Sequence, residues 1–467
     1  MTKRPNIIFI VADDLGYADL GCYGGRDASF GAVSPELDKL AAGGLRFTEG
    51  YANSPVCSPT RFAMMTGRYQ YRLRGAAEEP ISSSNAGSAA LGLPAEHPTL
   101  PSLLKDSGYR TALIGKWHLG FPPHFGPMRS GYEEFFGLLA GGADYFTHCN
   151  STGKHDLYLG EQAHVEEGYM TDLISQRAID FIDRMADGAH KGSPFFLSLH
   201  HTAPHWPWET RDDADVPAQI SNKLFHLDGG NIDIYRRMIH HMDEGIGQLV
   251  ASLRSHGLLE NTLIVFTSDN GGANYIGLPN INKPYRGWKL NHFEGGIHVP
   301  FAAKWPGRIE PGSVFPHPVH HVDLFKTFAA AAGADVPTDR TLDGVDLVPY
   351  VKGEISGAPH QTLFWREGYH QSVRHGDWKL IRADQPDKPP GTGQAKWLFN
   401  LAEDPTEQRN LATQLPEKVA ELEALLAAHN AEQAQPMWPS VVQDAQLIDK
   451  PGGVAYEQGD EYIYWPN

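Results

Sequence analysis

Four stretches of this chain share one pattern, in which a short and mostly apolar run ends directly in charged or amide side chains. The runs cover residues 6–12, 109–114, 195–199 and 262–268. Such runs are typical of strands that are buried on both faces of a parallel sheet. Since ligands of open α/β sheets bind beyond the carboxyl ends of the strands, we expect the polar side chains to meet there. The pattern predicts an α/β fold with a functional site at one edge of the sheet.

The chain of 467 residues is long enough for one large and one smaller domain. Residues 1–360 are predicted to form an α/β domain with a large mixed, mostly parallel central sheet flanked by helices. From residue 361 the pattern changes to short alternating strands, which predicts an antiparallel sheet. Residues 361–467 are therefore interpreted as a smaller C-terminal α+β domain, whose tail folds back on the surface or onto a partner subunit. Residues 131–168 are interpreted as a loop-rich insertion that shapes substrate access.

The formal charge of −17 argues against nucleic acid and anionic membrane surfaces as partners. An anionic substrate would therefore need a local cationic pocket. No apolar run is long enough to span a bilayer, and the first run is too short for a signal peptide. We expect a cytoplasmic protein, or a periplasmic or secreted one if a leader has been removed. The three cysteines Cys22, Cys57 and Cys149 fit neither a disulfide framework nor a zinc site, which favours a reducing compartment.

The stretch from Cys57 to Arg61 stands where small, turn-forming residues give way to a helical run. Pro59 suits the first turn of a helix because it has no N–H to leave unpaired. Arg61 follows one turn later, close enough for its guanidinium to face the Cys57 side chain. Because the N-terminus of a helix attracts anions, Cys57 is a candidate site residue. The alternative is a buried free cysteine that only packs at the start of a core helix.

Oxygen donors follow two of the apolar runs, Asp13 and Asp14 after the first and Asp269 and Asn270 after the last. Carboxylate and amide oxygens are ligands of a hard divalent cation such as calcium or magnesium, and not of a thiolate-binding metal. Taken alone, Asp13 and Asp14 could equally be a helix cap and a solvated loop acid. The repetition of the arrangement at two strand ends favours a metal site.

A second set of polar residues carries positive charge or titrates near neutral pH. Lys116 and His118 follow the second run, His205 follows the third, and Arg61 and Lys289 lie in connecting segments. This set suits a tetrahedral oxyanion held against the cation. Individually, Lys116 and His118 could be surface side chains, and His205 could be a structural histidine bonded to the backbone. Their joint placement at one sheet edge favours a binding site.

Two motifs are the most specific: Cys57-Ser-Pro-Thr-Arg61 with Thr66-Gly-Arg68, and residues 108–118, Gly-Tyr-Arg-Thr-Ala-Leu-Ile-Gly-Lys-Trp-His. They resemble the two signatures of the type I sulfatase family, which belongs to the alkaline phosphatase superfamily. Further similarity occurs in family order at residues 6–16, 204–207, 268–271, 289, 294–296 and 398–411. The resemblance therefore spans Asn6 to about Leu411 and implies that residues 1–360 form a sulfatase-like catalytic domain.

The resemblance implies an enzyme that hydrolyses sulfate monoesters, either aryl sulfates or sulfated sugars, to the alcohol and inorganic sulfate. In the family the signature cysteine is oxidised to formylglycine, which implies the same fate for Cys57 and a formylglycine-generating enzyme as a partner. An aldehyde hydrate offers an oxygen nucleophile, which suits a hard cation better than a thiolate does. The resemblance implies one divalent cation, with calcium favoured over magnesium. Its implied ligands are Asp13, Asp14, modified Cys57, Asp269 and Asn270.

Catalytic roles are carried over in the same way. Arg61 would steady the hydrate, while Lys116 and Lys289 would hold sulfate oxygens and offset charge in the transition state. His205, helped by Lys289, would protonate the leaving oxygen. His118 would be the base for the elimination that releases sulfate.

Substrate selectivity is expected in the variable loops, including residues 76–95, which are interpreted as a rim of the site. Aromatic and histidine side chains there would suit stacking on, and hydrogen bonding to, a sugar. The alternative is that they are ordinary loop side chains that cover the core. His298 stands where the family more often has arginine, which puts in doubt only the surroundings of the site. The predicted substrate contacts are Asp144, His148, His201, Trp206 and His292.

Two other functions stay open on the sequence. One is hydrolysis of phosphonate monoesters or phosphodiesters, because relatives with the same formylglycine and metal arrangement process phosphoryl esters. The other is a non-catalytic protein that binds anions or glycans and keeps Cys57 as a thiol. The sequence does not name the sulfate ester, and it leaves a homo-oligomer open.

Overall fold

The computed structural model describes residues 4–26, 31–73, 80–215, 230–384, 395–435 and 443–466, so residues 76–79 of the predicted rim lie outside it. Its strands are β1 (Asn6–Ala12), β2 (Leu45–Phe47), β3 (Gly50–Tyr51), β4 (Arg110–Gly115), β5 (Glu134–Leu138), β6 (Leu157–Leu159), β7 (Gln162–Ala163), β8 (Phe195–His200), β9 (Thr262–Ser268), β10 (Phe301–Lys304), β11 (Ser313–Phe315), β12 (Val319–His320), β13 (Thr362–Glu367), β14 (His370–His375), β15 (Trp378–Ala383), β16 (Ala395–Asn400), β17 (Gln443–Leu447) and β18 (Tyr462–Pro466). Its helices are α1 (Pro35–Ala42), α2 (Cys57–Thr66), α3 (Leu100–Asp106), α4 (Met170–Asp187), α5 (Ile232–Ser255), α6 (Glu294–Ile297), α7 (Asp323–Ala332), α8 (Val348–Val351) and α9 (Pro416–Ala431). Among the described residues, no helix has the length and apolar character of a membrane span.

The larger sheet has ten strands in the order β11-β2-β10-β9-β1-β8-β4-β5-β6-β7. The five central strands, from β9 to β5, are parallel, whereas β10 and β6 join the two sides in antiparallel orientation. This is the mixed, mostly parallel sheet that the apolar runs predicted, and the prediction is confirmed.

Strand β1 explains why its sequence is a continuous apolar run. Ile8 and Ile10 pack with α1, α4 and α5 on one face of the sheet. Ile7, Phe9 and Val11 pack with α2, α3 and α7 on the other face. All five side chains are fully buried, so neither face of the strand tolerates the polar alternation of a sheet that faces water.

The register of the central strands brings their carboxyl ends level. Ala12 lies opposite Ser268, and His200 lies opposite both Val11 and Gly115. The residues that follow these positions therefore leave the sheet side by side. The fold supplies the single polar edge that the sequence pattern predicted.

Strands β13 to β16 form an antiparallel sheet in sequence order, as the alternating pattern predicted. One face packs on α9 through Val373, Leu380 and Leu398. The other face packs on Phe293 of the larger part of the chain and on Ile463 of the tail. Since β18 pairs with β17 and buries Ile463, the tail folds back onto its own chain. The division of the chain at residue 361 stays a prediction.

Residues 131–168, interpreted as a loop-rich insertion, also contain β5, β6 and β7, which extend the large sheet beyond β4. Gly137 lies within β5, and pairing with β4 on one side and with β6 on the other stabilises this strand. The short helix α6 follows the segment that carries Lys289.

A buried ion network joins the antiparallel sheet to the segment that carries Lys289. Lys379 on β15 is fully buried, and its Nζ lies 2.6 Å from Glu294 Oε1 and 2.9 Å from Glu407 Oε1. The Glu294 side chain also accepts hydrogen bonds from Tyr51 at 2.7 Å and from His298 Nδ1 at 2.8 Å. The network fixes the start of α6 against the smaller sheet.

Replacing Lys379 with methionine is expected to lower the free energy of unfolding by about 3 kcal/mol, because two buried carboxylates lose their cation. The comparison is Lys396→Met on the neighbouring strand, whose half-exposed ion pair with Glu423 contributes less than about 1 kcal/mol. Urea unfolding of both variants measures the difference. An equal loss of unfolding free energy in both variants would show that the buried ion network stabilises the fold no more than the half-exposed pair does.

Candidate active site

Cys57 is the first residue of α2, as its sequence context predicted. The preceding turn is held by two hydrogen bonds: the Ser54 N–H donates to the Thr60 hydroxyl at 2.9 Å, and the Ser54 hydroxyl donates to Glu367 at 2.7 Å. The Cys57 side chain is 2 % exposed. Its Sγ lies 3.4 Å from Asp13 Oδ1 and 3.6 Å from Lys289 Nζ.

The surroundings of Cys57 disfavour a thiolate. Burial, followed by the charge of Asp269, raises the pKa of the thiol far above its usual range, and Lys116 and Lys289 do not offset this. Because the thiolate is the reactive form of cysteine, an unmodified Cys57 is a poor nucleophile in this position.

Asp13 and Asp14 follow β1 and lie against the two lysines. Lys116 Nζ is 2.5 Å from Asp13 Oδ2, and Lys289 Nζ is 2.8 Å from Asp14 Oδ2. Both carboxylates are buried. Burial and then the charge of Asp269 raise the pKa of Asp13 to about 7.

Asp269 and Asn270 follow β9 on the adjacent strand. Arg61 donates from Nη2 to Asp269 Oδ2 at 2.9 Å, and the Asp14 N–H donates to Asp269 Oδ1 at 3.2 Å. Burial would raise the pKa of Asp269, but the charges of Arg61 and the two lysines outweigh it and hold that pKa well below its usual range. Asn270 donates from Nδ2 to Asp14 Oδ1 at 2.8 Å. Its own Oδ1 is buried and has no hydrogen-bond partner.

The donor set fits a hard divalent cation. Ligand atoms of Asp13, Asp14, Cys57 and His205 all lie within 4.8 Å of one another. The Oδ1 atom of Asn270 is an oxygen that protein donors leave unused, although a buried acceptor is normally paired. Carboxylate and amide oxygens are the ligands that calcium and magnesium prefer. Asp269 does not belong to the four-residue group, because its two oxygens are directed to Arg61 and the Asp14 N–H.

The two predicted histidines are buried beside this cluster. His205 Nδ1 lies 2.5 Å from the Trp206 carbonyl, and His205 Nε2 faces Asp14 Oδ2 at 3.7 Å. His118 Nε2 lies 2.9 Å from the Ile81 carbonyl, and its Nδ1 has no hydrogen-bond partner. A carbonyl oxygen accepts a hydrogen bond only from a nitrogen that carries a hydrogen. Nε2 of His118 therefore carries the hydrogen, and Nδ1 keeps a lone pair.

Burial is the first cause of a strongly lowered pKa for both histidines. The charge of Lys116 lowers the pKa of both further, and Lys289 adds to the effect on His205. Both rings are therefore neutral near pH 7 in the protein alone. His118 is ready to accept a proton at Nδ1.

The five predicted substrate contacts lie in different environments. Asp144 caps its own turn by accepting hydrogen bonds from the backbone of Phe146 and Thr147, while His148 is buried against the Gly168 carbonyl. His201 is buried, and burial lowers its pKa to about 3 with no charged group contributing. His292 is buried against the ring of His370, at 4.1 Å between centroids. Trp206 is half-buried beside His205. Their contacts with substrate stay predictions.

Two further residues lie at the site beyond the predicted catalytic and metal-binding residues. His200, the last residue of β8, places Nδ1 3.3 Å from Arg61 Nη1 and from the Lys116 carbonyl. Its position at a strand end was a usable signal. Tyr275 is half-buried, with its ring 5.8 Å from that of Trp288 and 6.4 Å from that of Trp206. No sequence pattern marked Tyr275, because it reaches the site from a loop.

The fold and the polar edge together suit an enzyme that hydrolyses esters of a tetrahedral oxyanion. A family model described as Sulfatase matches residues 5–334, and one described as N-sulphoglucosamine sulphohydrolase, C-terminal, matches residues 288–434. The chain belongs to the sulfatase family, whose fold is alkaline-phosphatase-like, and it is a sulfuric ester hydrolase of the arylsulfatase type. The resemblance inferred from the motifs is confirmed.

Three relatives illustrate the similarity. Arylsulfatase A of Bos taurus is 34% identical, over 89% of this chain and 85% of that protein. N-acetylgalactosamine-6-sulfatase of Mus musculus is 33% identical, over 81% of this chain and 72% of that protein. The crystal structure of Ps i-CgsB in complex with k-i-k-neocarrahexaose has 31% identity and a TM-score of 0.78, and the match covers 93% of this chain and 95% of that one.

Proposed function

We propose that this enzyme hydrolyses sulfate monoesters of ring-bearing alcohols, aryl sulfates or sulfated sugars, with position 57 converted to formylglycine. The position of Cys57 carries the proposal. It lies at a helix N-terminus between Asp13 and Lys289, where burial keeps the sulfur as an unreactive thiol. Formylglycine at this position would supply, as its hydrate, both a nucleophilic oxygen and a route for releasing sulfate.

The maturation enzyme would have to read the stretch from Cys57 to Arg61 before the chain folds. Cys57, Ser58, Pro59, Thr60 and Arg61 are all buried in the folded protein. A folded chain therefore presents none of this stretch to a second protein. The proposal makes conversion of Cys57 a step that accompanies synthesis.

Asp13, Asp14, Asp269, Asn270 and residue 57 would hold the divalent cation, with calcium favoured over magnesium. The cation would add positive charge beside the reacting group and lower the pKa of a bound hydroxyl. Asn270 contributes the oxygen that has no other partner. Arg61 stays on Asp269 and fixes the orientation of that carboxylate.

The charges of the site suit a sulfate ester. The buried side chains of the site include three carboxylic acids and three basic groups: Asp13, Asp14, Asp269, Arg61, Lys116 and Lys289. A divalent cation bound beside them would leave the site net positive, although the whole chain carries −17. A sulfate monoester brings one negative charge, and Lys116 and Lys289 would donate to its oxygens as charge builds in the transition state.

Two histidines suit the two proton transfers of the reaction. Because the Trp206 carbonyl holds the hydrogen on Nδ1 of His205, this histidine would first take up a proton at Nε2 and then donate it to the departing alcohol oxygen. The arriving anion supports this role, because a negative charge nearby raises the pKa of a histidine. His118 would accept a proton at Nδ1, its unpaired nitrogen, in the step that releases sulfate.

An aromatic wall, defined as Trp206 and Tyr275 with Trp288 behind them, favours a ring-bearing alcohol. Trp206 and Tyr275 are half-buried, and Tyr275 lies close enough to Lys289 for the charge of that lysine to lower its pKa. Sugar and aryl rings stack on such side chains. The wall lies beside His205, where the leaving group would depart.

The function is tested with matured protein on matched aryl sulfate and aryl phosphonate esters, followed by a panel of sulfated sugars. We expect the larger kcat/KM for the sulfate, because the family model and the curated relatives that the chain matches are sulfatases. A much larger kcat/KM for the phosphonate would favour the alternative function. Turnover of neither class, with formylglycine present, would refute the proposal.

Removing the divalent cation is expected to lower kcat/KM on an aryl sulfate by about 10²-fold or more, since a cation supplies several kcal/mol of charge stabilisation. The protein is dialysed against EDTA, which removes both cations, and is then titrated separately with calcium and magnesium, and calcium is expected to restore activity at the lower concentration. Calcium should also raise the melting temperature, and Asn270→Ala should reduce that rise. Activity that survives exhaustive chelation would contradict the metal site.

A further inference from the structure

Two consecutive glycines, Gly141 and Gly142, lie directly against the two histidines of the site. A Cβ atom on Gly141 would lie 2.5 Å from Cε1 and 2.7 Å from Nε2 of His118. A Cβ atom on Gly142 would lie 3.0 Å from Cε1 and 3.2 Å from Nδ1 of His205. Carbon atoms in favourable contact are about 3.5 to 4.0 Å apart. A side chain at either position would therefore press on a histidine ring.

Backbone conformation does not explain why these residues are glycine. Neither residue has a positive φ angle, so alanine would adopt the same backbone without strain. Gly137, which precedes them in β5, differs because its φ is 149°. What Gly141 and Gly142 provide is space beside the rings.

The glycine segment cannot simply move away from the rings. On its N-terminal side, the His118 N–H donates to the Leu139 carbonyl at 3.2 Å, and the Ala140 N–H donates to buried Asp156 at 2.8 Å. On its C-terminal side, the Tyr145 hydroxyl lies 2.9 Å from the His205 carbonyl. The segment is thus braced on the same two loops that carry the histidines.

The histidines have little freedom to yield in turn. His118 is held through Nε2 by the Ile81 carbonyl, and His205 is held through Nδ1 by the Trp206 carbonyl. An added methyl group would approach the same side of each ring, at Cε1 and Nε2 of His118 and at Cε1 and Nδ1 of His205. Any displacement would therefore turn the opposite nitrogen, which faces the reaction.

We propose that Gly141 and Gly142 are positioning residues, each for a different proton transfer. Gly141 sets the place of His118, which accepts a proton as sulfate is released. Gly142 sets the place of His205, which donates a proton to the alcohol oxygen as the S–O bond to the alcohol breaks. The inference rests on the proposed function, since it assigns the two glycines to two steps of that reaction.

The test compares Gly141→Ala and Gly142→Ala by kinetics on a series of aryl sulfates with increasingly basic phenols. Displacing a catalytic group by about 1 Å can cost about 10²-fold in rate. For Gly142→Ala we expect such losses in kcat/KM on the most basic phenols and much smaller losses on 4-nitrophenyl sulfate. For Gly141→Ala we expect kcat and KM to fall together, with kcat/KM nearly unchanged and a burst of phenol before the steady state.

The control is Gly160→Ala, in the turn between β6 and β7. Gly160 has a φ of 61° and open space around its Cα, so alanine there strains the backbone without touching a histidine. We expect it to leave every kinetic constant unchanged. An added Cβ at residue 142 would lie farther from its histidine than one at residue 141. If Gly141→Ala does not fold, the leaving-group dependence of Gly142→Ala therefore tests the positioning role.

The outcomes separate the two proposals. A parent enzyme that turns over aryl sulfates, with glycine variants that lose the same factor on every substrate or lose nothing, overturns the positioning roles and leaves the proposed function intact. A matured parent that turns over no sulfate ester overturns both. A leaving-group-dependent loss in Gly142→Ala, together with a joint fall of kcat and KM in Gly141→Ala, supports the positioning roles and the proposed function.

Discussion

Replacing Cys57 with alanine lowers kcat on an aryl sulfate by about 10⁴-fold or more, the scale of loss seen when a catalytic nucleophile is removed. Alanine is smaller than cysteine and has no sulfur to oxidise, so no formylglycine can form. The fold should persist, because Cys57 contributes only one small side chain to the start of α2. Steady-state kinetics on purified protein, with circular dichroism to verify the fold, give the measurement.

Cys22 and Cys149 provide the controls, because both are partly exposed free cysteines outside the site. Cys22→Ala and Cys149→Ala should keep full activity. The mass of the tryptic peptide that contains residue 57 should be that of formylglycine in active protein from its native host. Fully active protein with only a thiol at this position would refute the proposed nucleophile.

The sequence predicted the core of the fold because the relevant signal is local. Each apolar run of the four is a central strand, and the side chains just beyond it reach the edge of the sheet because parallel strands end level. Asp13 and Asp269 illustrate this: they are 256 residues apart along the chain, yet each follows a strand end and both contact Arg61. The register of the parallel strands brings side chains from separate parts of the sequence together in one site.

Features that depend on contacts between distant segments could not be predicted. β5 pairs with β4 on one side and with β6 on the other, and its own sequence did not predict it. Tyr275 enters the site from a loop, and the Lys379 network joins three segments that have no common pattern. The role of Gly141 and Gly142 could not be predicted, because the space that they leave is defined by His118 and His205 from elsewhere in the chain.

Replacing His205 with glutamine is expected to reduce turnover in a way that depends on the leaving group. Glutamine keeps a polar side chain of similar length but cannot act as an acid. Loss of a general acid costs about 10² to 10⁴-fold. We expect losses of about 10³-fold for a sugar sulfate, whose alkoxide leaves poorly, and of about tenfold for 4-nitrophenyl sulfate, whose phenolate leaves without much help.

The slope of log kcat/KM against the pKa of the leaving alcohol distinguishes the acid role from a structural one. A general structural defect of the site would lower every rate by a similar factor and leave the slope unchanged, whereas loss of the acid makes the slope steeper. His256→Gln is a matched control, because His256 is paired with Asp183 at 2.9 Å, outside the site. Since His205 Nε2 faces Asp14, a uniform loss in His205→Gln would instead indicate that this histidine helps to hold the carboxylate. The dependence of log kcat/KM on the pKa of the leaving alcohol therefore shows whether His205 protonates the substrate or holds Asp14.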